Sequence, residues 1–206
     1  MSEPISAFVK LRIDRPRLVQ WLDAPVALAS RWTDWRDMGG QYASGSDDKD
    51  LKDFSNVEMA AKMAECDRIL RRCRDNRFAL KSVLRTAEAP QYKHASYRTD
   101  TRDFVAGSLT YAENLINFIV FYAIVRGVGE FLAPDDYGVA VLHDFVWGAP
   151  EEHVTHSAVR LGPGARSGFM HADEMASAGG AFQPIADEML SQESKPPEID
   201  ELDSLK

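Results

Sequence analysis

Apolar residues are densest over residues 110–134, and this pattern predicts the central helix of the fold. Residues 118–125 are apolar without interruption, so the helix is apolar on every side, as buried helices are. Thr110 and Glu113 have the spacing of a capping box, in which each side chain satisfies a backbone N–H at a helix start. Pro134 has no N–H to donate and would end the helix. We therefore predict a helix over residues 111–133.

Polar side chains divide this apolar segment, and a bilayer crossing needs about 20 apolar residues. They are Asn114, Asn117, Arg126 and Glu130. The pattern therefore favours a helix inside a protein core, and we expect no association with a membrane.

The rest of the chain shows both strand-like and helix-like spacing of its apolar positions. Strands are predicted over residues 5–13, 138–147 and 154–161, the last two as a β-hairpin, with one or two shorter strands between 91 and 109. Helices are predicted after Asp14, across Leu28–Trp35, behind a Ser55–Glu58 capping box, across 80–87, and across 172–190 with a break at Gly179–Gly180. Residues 38–54 are predicted to be an exposed loop, since Gly, Ser and Asp dominate them.

These elements predict an α+β fold. We expect a helix-rich single domain over residues 1–190, with a small antiparallel sheet packed around the central helix. Residues 191–206 are acidic and interrupted by proline, which is typical of a disordered tail.

Charge and cysteine content narrow the class of protein. The 206-residue chain has a formal net charge of −8. No basic segment followed by an apolar one stands near Met1, so a signal peptide is not predicted. Cys66 and Cys73 are seven positions apart in a predicted helix, about 10 Å, which is too far for a disulfide. Two free thiols favour a cytoplasmic location.

Histidine and carboxylate residues near the hairpin are the main candidates for chemistry. His143, His153 and His156 have side chains that zinc and iron accept as ligands. Ordinary strand and loop histidines explain the same pattern, and no nucleophile motif accompanies them. We predict no metal, no cofactor and no enzymatic activity.

Basic residues near the end of the second predicted helix raise the question of nucleic-acid binding. They are Arg68, Arg71, Arg72, Arg74 and Arg77. They wrap around the helix instead of forming one stripe, and phosphate binding needs cations clustered on one face. Nucleic acid is therefore not the expected partner.

Acidic residues on predicted loops favour a protein partner, because acidic patches steer basic partners. The candidate binding residues are Asp47, Asp48, Asp50, Asp53, Asp135, Asp136, Glu151 and Glu152. Solvated loop tips have the same composition, so this alternative stays open.

The segment DFVAGSLTYAENLINFIVFYAIVRG followed by YGVAVLHDFVWG resembles the strand–helix–strand cores of bacterial immunity proteins. The resemblance implies a cytoplasmic protein that binds a cognate toxin domain and occludes its active site, which would present a basic surface. Two alternatives stay open. One is a small metal-dependent enzyme that uses the three histidines. The other is a structural subunit of a larger complex, with Trp32, Trp35 or Trp147 in its interface.

Overall fold

The computed structural model describes residues 4–44, 47–84, 93–147, 153–164, 166–191 and 201–206. The strands are β1 (Ile5–Arg12), β2 (Gln41–Ser44), β3 (Asp47–Asp50), β4 (Lys93–Arg98), β5 (Asp103–Ala112), β6 (Tyr137–His143), β7 (Thr155–Leu161) and β8 (Gly168–Phe169). The helices are α1 (Arg15–Asp23), α2 (Asn56–Leu70), α3 (Asn76–Val83), α4 (Leu115–Arg126), α5 (Ala172–Gly180), α6 (Gln183–Ser191) and α7 (Glu201–Ser204). Short 3-10 turns cover Ala29–Arg31, Trp35–Met38, Leu51–Asp53 and Gly127–Glu130.

The six-stranded sheet is antiparallel throughout, in the order β4-β5-β1-β6-β7-β8. The α+β prediction is confirmed, but the prediction of a small sheet was wrong. The sheet is larger because β1 lies at its centre and joins β4–β5 to β6–β8. Helical periodicity is visible along a sequence, whereas this joining depends on contacts between distant residues.

One face of the sheet, the helix face, packs against α1–α4. Its side chains alternate with those of the opposite face, because successive residues of a strand point to opposite sides. Val9, Leu11, Phe104 and Ala140 on the helix face are fully buried. The central helix α4 lies in the same core, with Ile119, Phe121, Ala123, Ile124 and Val125 fully buried. The prediction of a buried central helix is confirmed.

Helix α4 begins later than its sequence predicts. Thr110 lies in β5, which continues to Ala112, and Asn114 is the N-cap. Asn114 Oδ1 accepts a hydrogen bond from the backbone N–H of Asn117 at 3.0 Å. The Thr110–Glu113 capping box was therefore the wrong start. Strand pairing satisfies the backbone over residues 110–112, and an asparagine cap then takes the place of the predicted one.

Two further predictions were wrong for local reasons. Residues 28–35 do not form an α-helix. Short 3-10 turns cover Ala29–Arg31 and Trp35–Met38, and Trp35 Nε1 donates a hydrogen bond to the Ala29 carbonyl at 2.9 Å. Within residues 38–54, predicted as a loop, β2 and β3 pair as a hairpin. By contrast, the Ser55–Glu58 capping box forms as predicted. The last long helix is also broken, but at residues 181–182, just after the predicted Gly179–Gly180, which are the last residues of α5.

The C-terminal residues 201–206 contact the body of the fold. Leu202 and Leu205 are 1% and 3% exposed, and α7 lies against β4. The backbone of Leu202 accepts a hydrogen bond from Arg77, and Lys81 pairs with Asp203. The predicted disordered tail therefore does not extend through residues 201–206, whose leucines pack like core side chains. Residues 192–200 lie outside the described residues.

Candidate functional site: an open charged groove on the sheet

The second face of the sheet is covered by helices over only part of its area. Phe8 lies under α5 and α6, with its ring centroid 5.6 Å from that of Phe182. Gly107 of the neighbouring strand makes room for Phe8, because a Cβ at Gly107 would lie 2.1 Å from the phenylalanine ring. Val141 and Ala158 belong to the same buried cluster. This part of the face is an apolar core.

Beyond the helices the same strands carry mostly polar side chains, which the strand register places in two rows across the sheet. The outer row is Arg98, Asp103, Arg12 and Tyr137. The next row is Ser96, Val105, Lys10, Val139 and Arg160. Residues in one row are direct cross-strand neighbours, with Cα atoms about 4.5–5.5 Å apart. The two rows together carry charged side chains of both signs, with Val105 and Val139 between those of the second row.

The members of these rows from β1, β6 and β7, together with Asp103, line an open groove of about 1390 Å³, here called the sheet groove. The turn between β4 and β5, residues 99–102, borders it, and α5 forms a wall with Asp173, Glu174, Ser177 and Ala178. Val139 and Met170 add apolar surface beside the charges. The groove thus combines an apolar strip with charged side chains of both signs.

Most charges in the groove are already paired. Lys10 Nζ lies 3.4 Å from Asp103 Oδ2, and Arg160 Nη2 lies 2.7 Å from Glu174 Oε1. The hydrogen bond from Arg160 holds the pKa of Glu174 below its ordinary value. Arg102 Nη1 lies 2.8 Å from Asp14 Oδ1 at the end of the groove. Each of these three cations therefore lies beside a carboxylate of the same chain.

Arg12 differs from these cations. Its guanidinium lies over the ring of Tyr137, with Cζ 5.9 Å from the ring centroid. No carboxylate of the described residues forms an ion pair with it. Tyr137 itself is 58% exposed, an unusual position for a large aromatic side chain. Arg12 and Tyr137 therefore form an exposed pair in the groove, with the guanidinium over the tyrosine ring.

The acidic residues predicted to bind a partner do not all lie on exposed segments. Asp136 is 3% exposed, and its Oδ2 accepts a hydrogen bond from the backbone N–H of Ala133 at 2.9 Å. It also lies 3.8 Å from Arg102. The expectation that Asp136 is exposed was wrong, because this carboxylate closes the turn before β6. Its neighbour Asp135 is exposed.

The acids of the β2–β3 hairpin lie elsewhere, beside α2. An ion pair of 3.2 Å between Lys49 of β3 and Glu58 of α2 joins the hairpin to that helix. Asp48 and Asp53 are exposed there, and Asp50 Oδ1 accepts a hydrogen bond from the backbone of Lys52. Asp47 belongs to β3 in the same hairpin. Glu151 and Glu152 lie outside the described residues. The described contacts thus connect the predicted acids to different elements of the fold.

The histidines of the predicted hairpin have separate environments. His143 is opposite Thr155 in the β6–β7 register, and its Nδ1 is 2.9 Å from Thr155 Oγ1. Burial lowers the pKa of His143 to about 4. The rings of His143 and His153 have centroids 6.3 Å apart, while His156 is exposed. Among the described residues, no group of three or more His, Cys, Asp or Glu side chains is arranged to hold a metal ion.

Of the tryptophans and cysteines singled out in the sequence, Trp35 and Cys66 are buried in the core, whereas Trp32, Trp147 and Cys73 are half-buried. Trp35 is 1% exposed, and Trp147 Nε1 donates a hydrogen bond to the Pro4 carbonyl at 3.2 Å. Cys66 and Cys73 are both free, as predicted. Burial raises the pKa of the Cys66 thiol to about 12, which keeps it protonated and unreactive.

Sequence reasoning missed the residues of the groove, although a signal for them exists. Lys10 and Arg12 follow Phe8 at alternate positions of β1, so they share its face of the strand. The change from an aromatic side chain to two cations along one face indicates that the helices packed over Phe8 do not extend over Lys10 and Arg12. The sequence does not show which strands are neighbours in the sheet, so these two cations could not be grouped with Tyr137 and Arg160.

The chain was compared with protein-family models, curated proteins and solved structures, and none of the three comparisons found a match. No helix in the described part of the chain has both the length and the hydropathy that a bilayer crossing requires.

Proposed function

We propose that this protein acts by binding another protein in the sheet groove. Following the resemblance of its strand–helix–strand core, we propose further that it is an immunity protein, which neutralises a cognate toxin domain by occluding the toxin's active site. The observation that carries the proposal is the exposed Arg12–Tyr137 pair in a groove of about 1390 Å³. Tyrosine and arginine are the residue types that dominate binding energy in protein interfaces.

The surroundings of this pair suit a protein interface. Val139, Met170 and Ala178 provide an apolar strip that a partner side chain can cover. The ion pairs Lys10–Asp103 and Arg160–Glu174 lie around it and hold their side chains in place before binding. An apolar centre surrounded by polar groups is the usual arrangement of such interfaces. Less side-chain entropy is lost on binding when the side chains are already fixed.

The exposed carboxylates of Asp48, Asp53 and Asp135 have a different role from the groove. They are available to attract a basic surface of the toxin during approach, since surface charges act mainly on the rate of association. The groove then supplies the contacts that keep the complex together.

The test is protection from a toxin. The gene beside the one for this chain is examined for a toxin-like open reading frame, and the two proteins are expressed together in a host that the toxin kills. We expect this chain to restore growth and to form a stoichiometric complex with the toxin. If co-expression does not restore growth, the immunity proposal is wrong.

A pair of variants locates the interface. Tyr137→Ala removes the exposed ring from the groove, and we expect it to weaken the complex by about 30-fold, the effect of losing about 2 kcal/mol at a hot spot. Val57→Ala is the matched control, because Val57 is 80% exposed on α2 outside the groove. It should leave affinity unchanged. Equal affinities for both variants and the unmodified protein would place the interface elsewhere.

A further inference from the structure

The open part of the sheet and its bordering turn carry five basic side chains: Lys10, Arg12, Arg98, Arg102 and Arg160. Four of them have a carboxylate partner within the chain. The partners are Asp103 for Lys10, Asp100 for Arg98, Asp14 for Arg102 and Glu174 for Arg160. Among the described residues, Arg12 is the one cation of this group that no carboxylate neutralises.

The position of Arg12 makes this lack of a partner informative. It is the last residue of β1, in the outer row of the sheet, and its strand is flanked by β5 on one side and β6 on the other. Its cross-strand neighbours are Asp103 and Tyr137. Asp103 is engaged by Lys10 at 3.4 Å. Stacking on Tyr137 orients the guanidinium in advance, and its N–H groups stay available to an acceptor from outside.

We infer that the partner presents an acidic segment to the sheet groove and that one of its carboxylates binds Arg12. This inference rests on the proposed function and specifies the chemistry of the bound segment. A guanidinium binds a carboxylate through two parallel hydrogen bonds, which gives direction as well as attraction. Val139 and Met170 lie in the same groove, so an apolar residue next to the acid completes the fit.

The acids of the groove favour a protein carboxylate over a nucleic-acid backbone. Asp100, Asp103, Asp173 and Glu174 all line it. A phosphate chain places a negative charge at every nucleotide and needs an unbroken run of unpaired cations. A peptide needs only one carboxylate at Arg12 and tolerates carboxylates elsewhere. Asp173 is in the first turn of α5, where the helix dipole stabilises a carboxylate.

Two labelled 12-residue peptides test the inference with the full chain at low salt. One repeats Glu-Leu and the other repeats Lys-Leu, and binding is measured by fluorescence anisotropy. We expect the Glu-Leu peptide to bind and the Lys-Leu peptide not to bind. Arg12→Glu should weaken binding of the Glu-Leu peptide by about tenfold or more, and Arg12→Gln by less.

Arg17→Glu is the matched control, because Arg17 is exposed on α1 and does not line the groove. It makes the same charge change and should leave binding unaltered. Thermal unfolding of each variant confirms that it is folded. The inference is overturned if the Glu-Leu peptide fails to bind, or if Arg12→Glu and Arg17→Glu act alike. It is also overturned if a labelled oligothymidine binds more tightly than the peptide and depends on Arg12.

The toxin-protection assay separates this inference from the proposed function. If Arg12→Glu still protects while Tyr137→Ala does not, the groove binds the toxin, but the inference that an acidic segment of the toxin binds Arg12 is wrong. If both variants protect as well as the unmodified protein, the groove is not the binding surface.

Discussion

Arg126 of α4 and Asp34 form a two-pronged ion pair, with Nη1–Oδ1 and Nη2–Oδ2 distances of 2.8 Å each. Arg126 is 3% exposed, and its guanidinium lies 4.9 Å and 5.3 Å from the ring centroids of Trp32 and Trp35. Ser167 Oγ accepts a further hydrogen bond from Arg126 Nε at 3.1 Å. This pair fixes the segment of 3-10 turns to the end of the central helix.

Replacing Asp34 with alanine should destabilise the fold by about 3 kcal/mol, because it leaves a buried guanidinium without its counter-charge. The value is at the lower end of the range for buried pairs, since the Asp34 side chain is 29% exposed. Urea unfolding followed by tryptophan fluorescence measures it. Asp100→Ala is the control, as its pair with Arg98 is exposed and should contribute under about 1 kcal/mol. Equal losses for the two variants would contradict a special role for Arg126.

Two adjacent glycines give a second prediction with an internal control. A Cβ at Gly179 would lie 2.3 Å from Thr155 Oγ1 and 2.5 Å from His143 Nδ1, whereas a Cβ at Gly180 would meet nothing within 4 Å. We expect Gly179→Ala to cost about 1–3 kcal/mol through overpacking against the sheet. Gly180→Ala should be neutral or slightly stabilising. Thermal melts of both variants decide this, and similar melting temperatures would show that α5 moves freely on the sheet.

The low pKa of His143 predicts a dependence of stability on pH. Burial lowers this pKa from its ordinary value of 6.5 to about 4, with a smaller contribution from His153 and an opposing one from Asp144. Between these values the unfolded chain binds a proton that the folded protein does not. Above pH 6.5 the histidine is neutral in both states and does not change the free energy of unfolding. As the pH drops from 6.5 to 4, protonation of His143 in the unfolded chain lowers the free energy of unfolding by about 3 kcal/mol.

His143→Gln should flatten this part of the stability profile. Urea unfolding at several values between pH 4 and 7 compares the two proteins. Some slope should remain in the variant, because partial desolvation of the His156 ring, although that residue is exposed, also lowers its pKa. His171→Gln replaces an exposed histidine and serves as the control. If His143→Gln and the unmodified protein lose stability in parallel over this range, the buried neutral state of His143 is refuted.

The C-terminal helix α7 gives a fourth prediction. Leu202 is 1% exposed against β4, and truncating a buried leucine to alanine costs about 2–5 kcal/mol. We expect Leu202→Ala to lie near the lower value, because α7 has only four residues and can detach instead of leaving a cavity. Leu190→Ala, at a leucine 41% exposed, should cost under 1 kcal/mol. Hydrogen exchange at residues 201–206 as fast as in a free peptide would contradict the docking.

The sequence predicted those parts of the fold that depend on neighbouring residues. The Ser55–Glu58 capping box and the break between α5 and α6 follow from short-range patterns, and both are present. The start of α4 was misplaced because Thr110 and Glu113 satisfy a helix-start pattern locally. Tertiary pairing of β5 with β1 prevails over that local preference.

The candidate site could not be predicted in the same way, because it depends on which strands are neighbours. Arg12 and Tyr137 are 125 positions apart and meet only because β1 pairs with β6. Asp136 shows the opposite error. An acid beside a predicted turn is expected to be exposed, yet Asp136 is buried and closes that turn by accepting a hydrogen bond from the backbone of Ala133. The order of charges along the chain does not reveal which carboxylates are paired within the folded protein.

The central position of β1 has a consequence for biosynthesis. Its two neighbours in the sheet, β5 and β6, are about 100 and 130 residues later in the chain. At a translation rate of about 5–20 residues per second, roughly ten seconds pass before both have left the ribosome. Until β5 has left the ribosome Phe8 and Val9 have no partner strand, so the nascent chain exposes an apolar segment that a chaperone can bind. Slow folding of the complete chain follows from the same long separations.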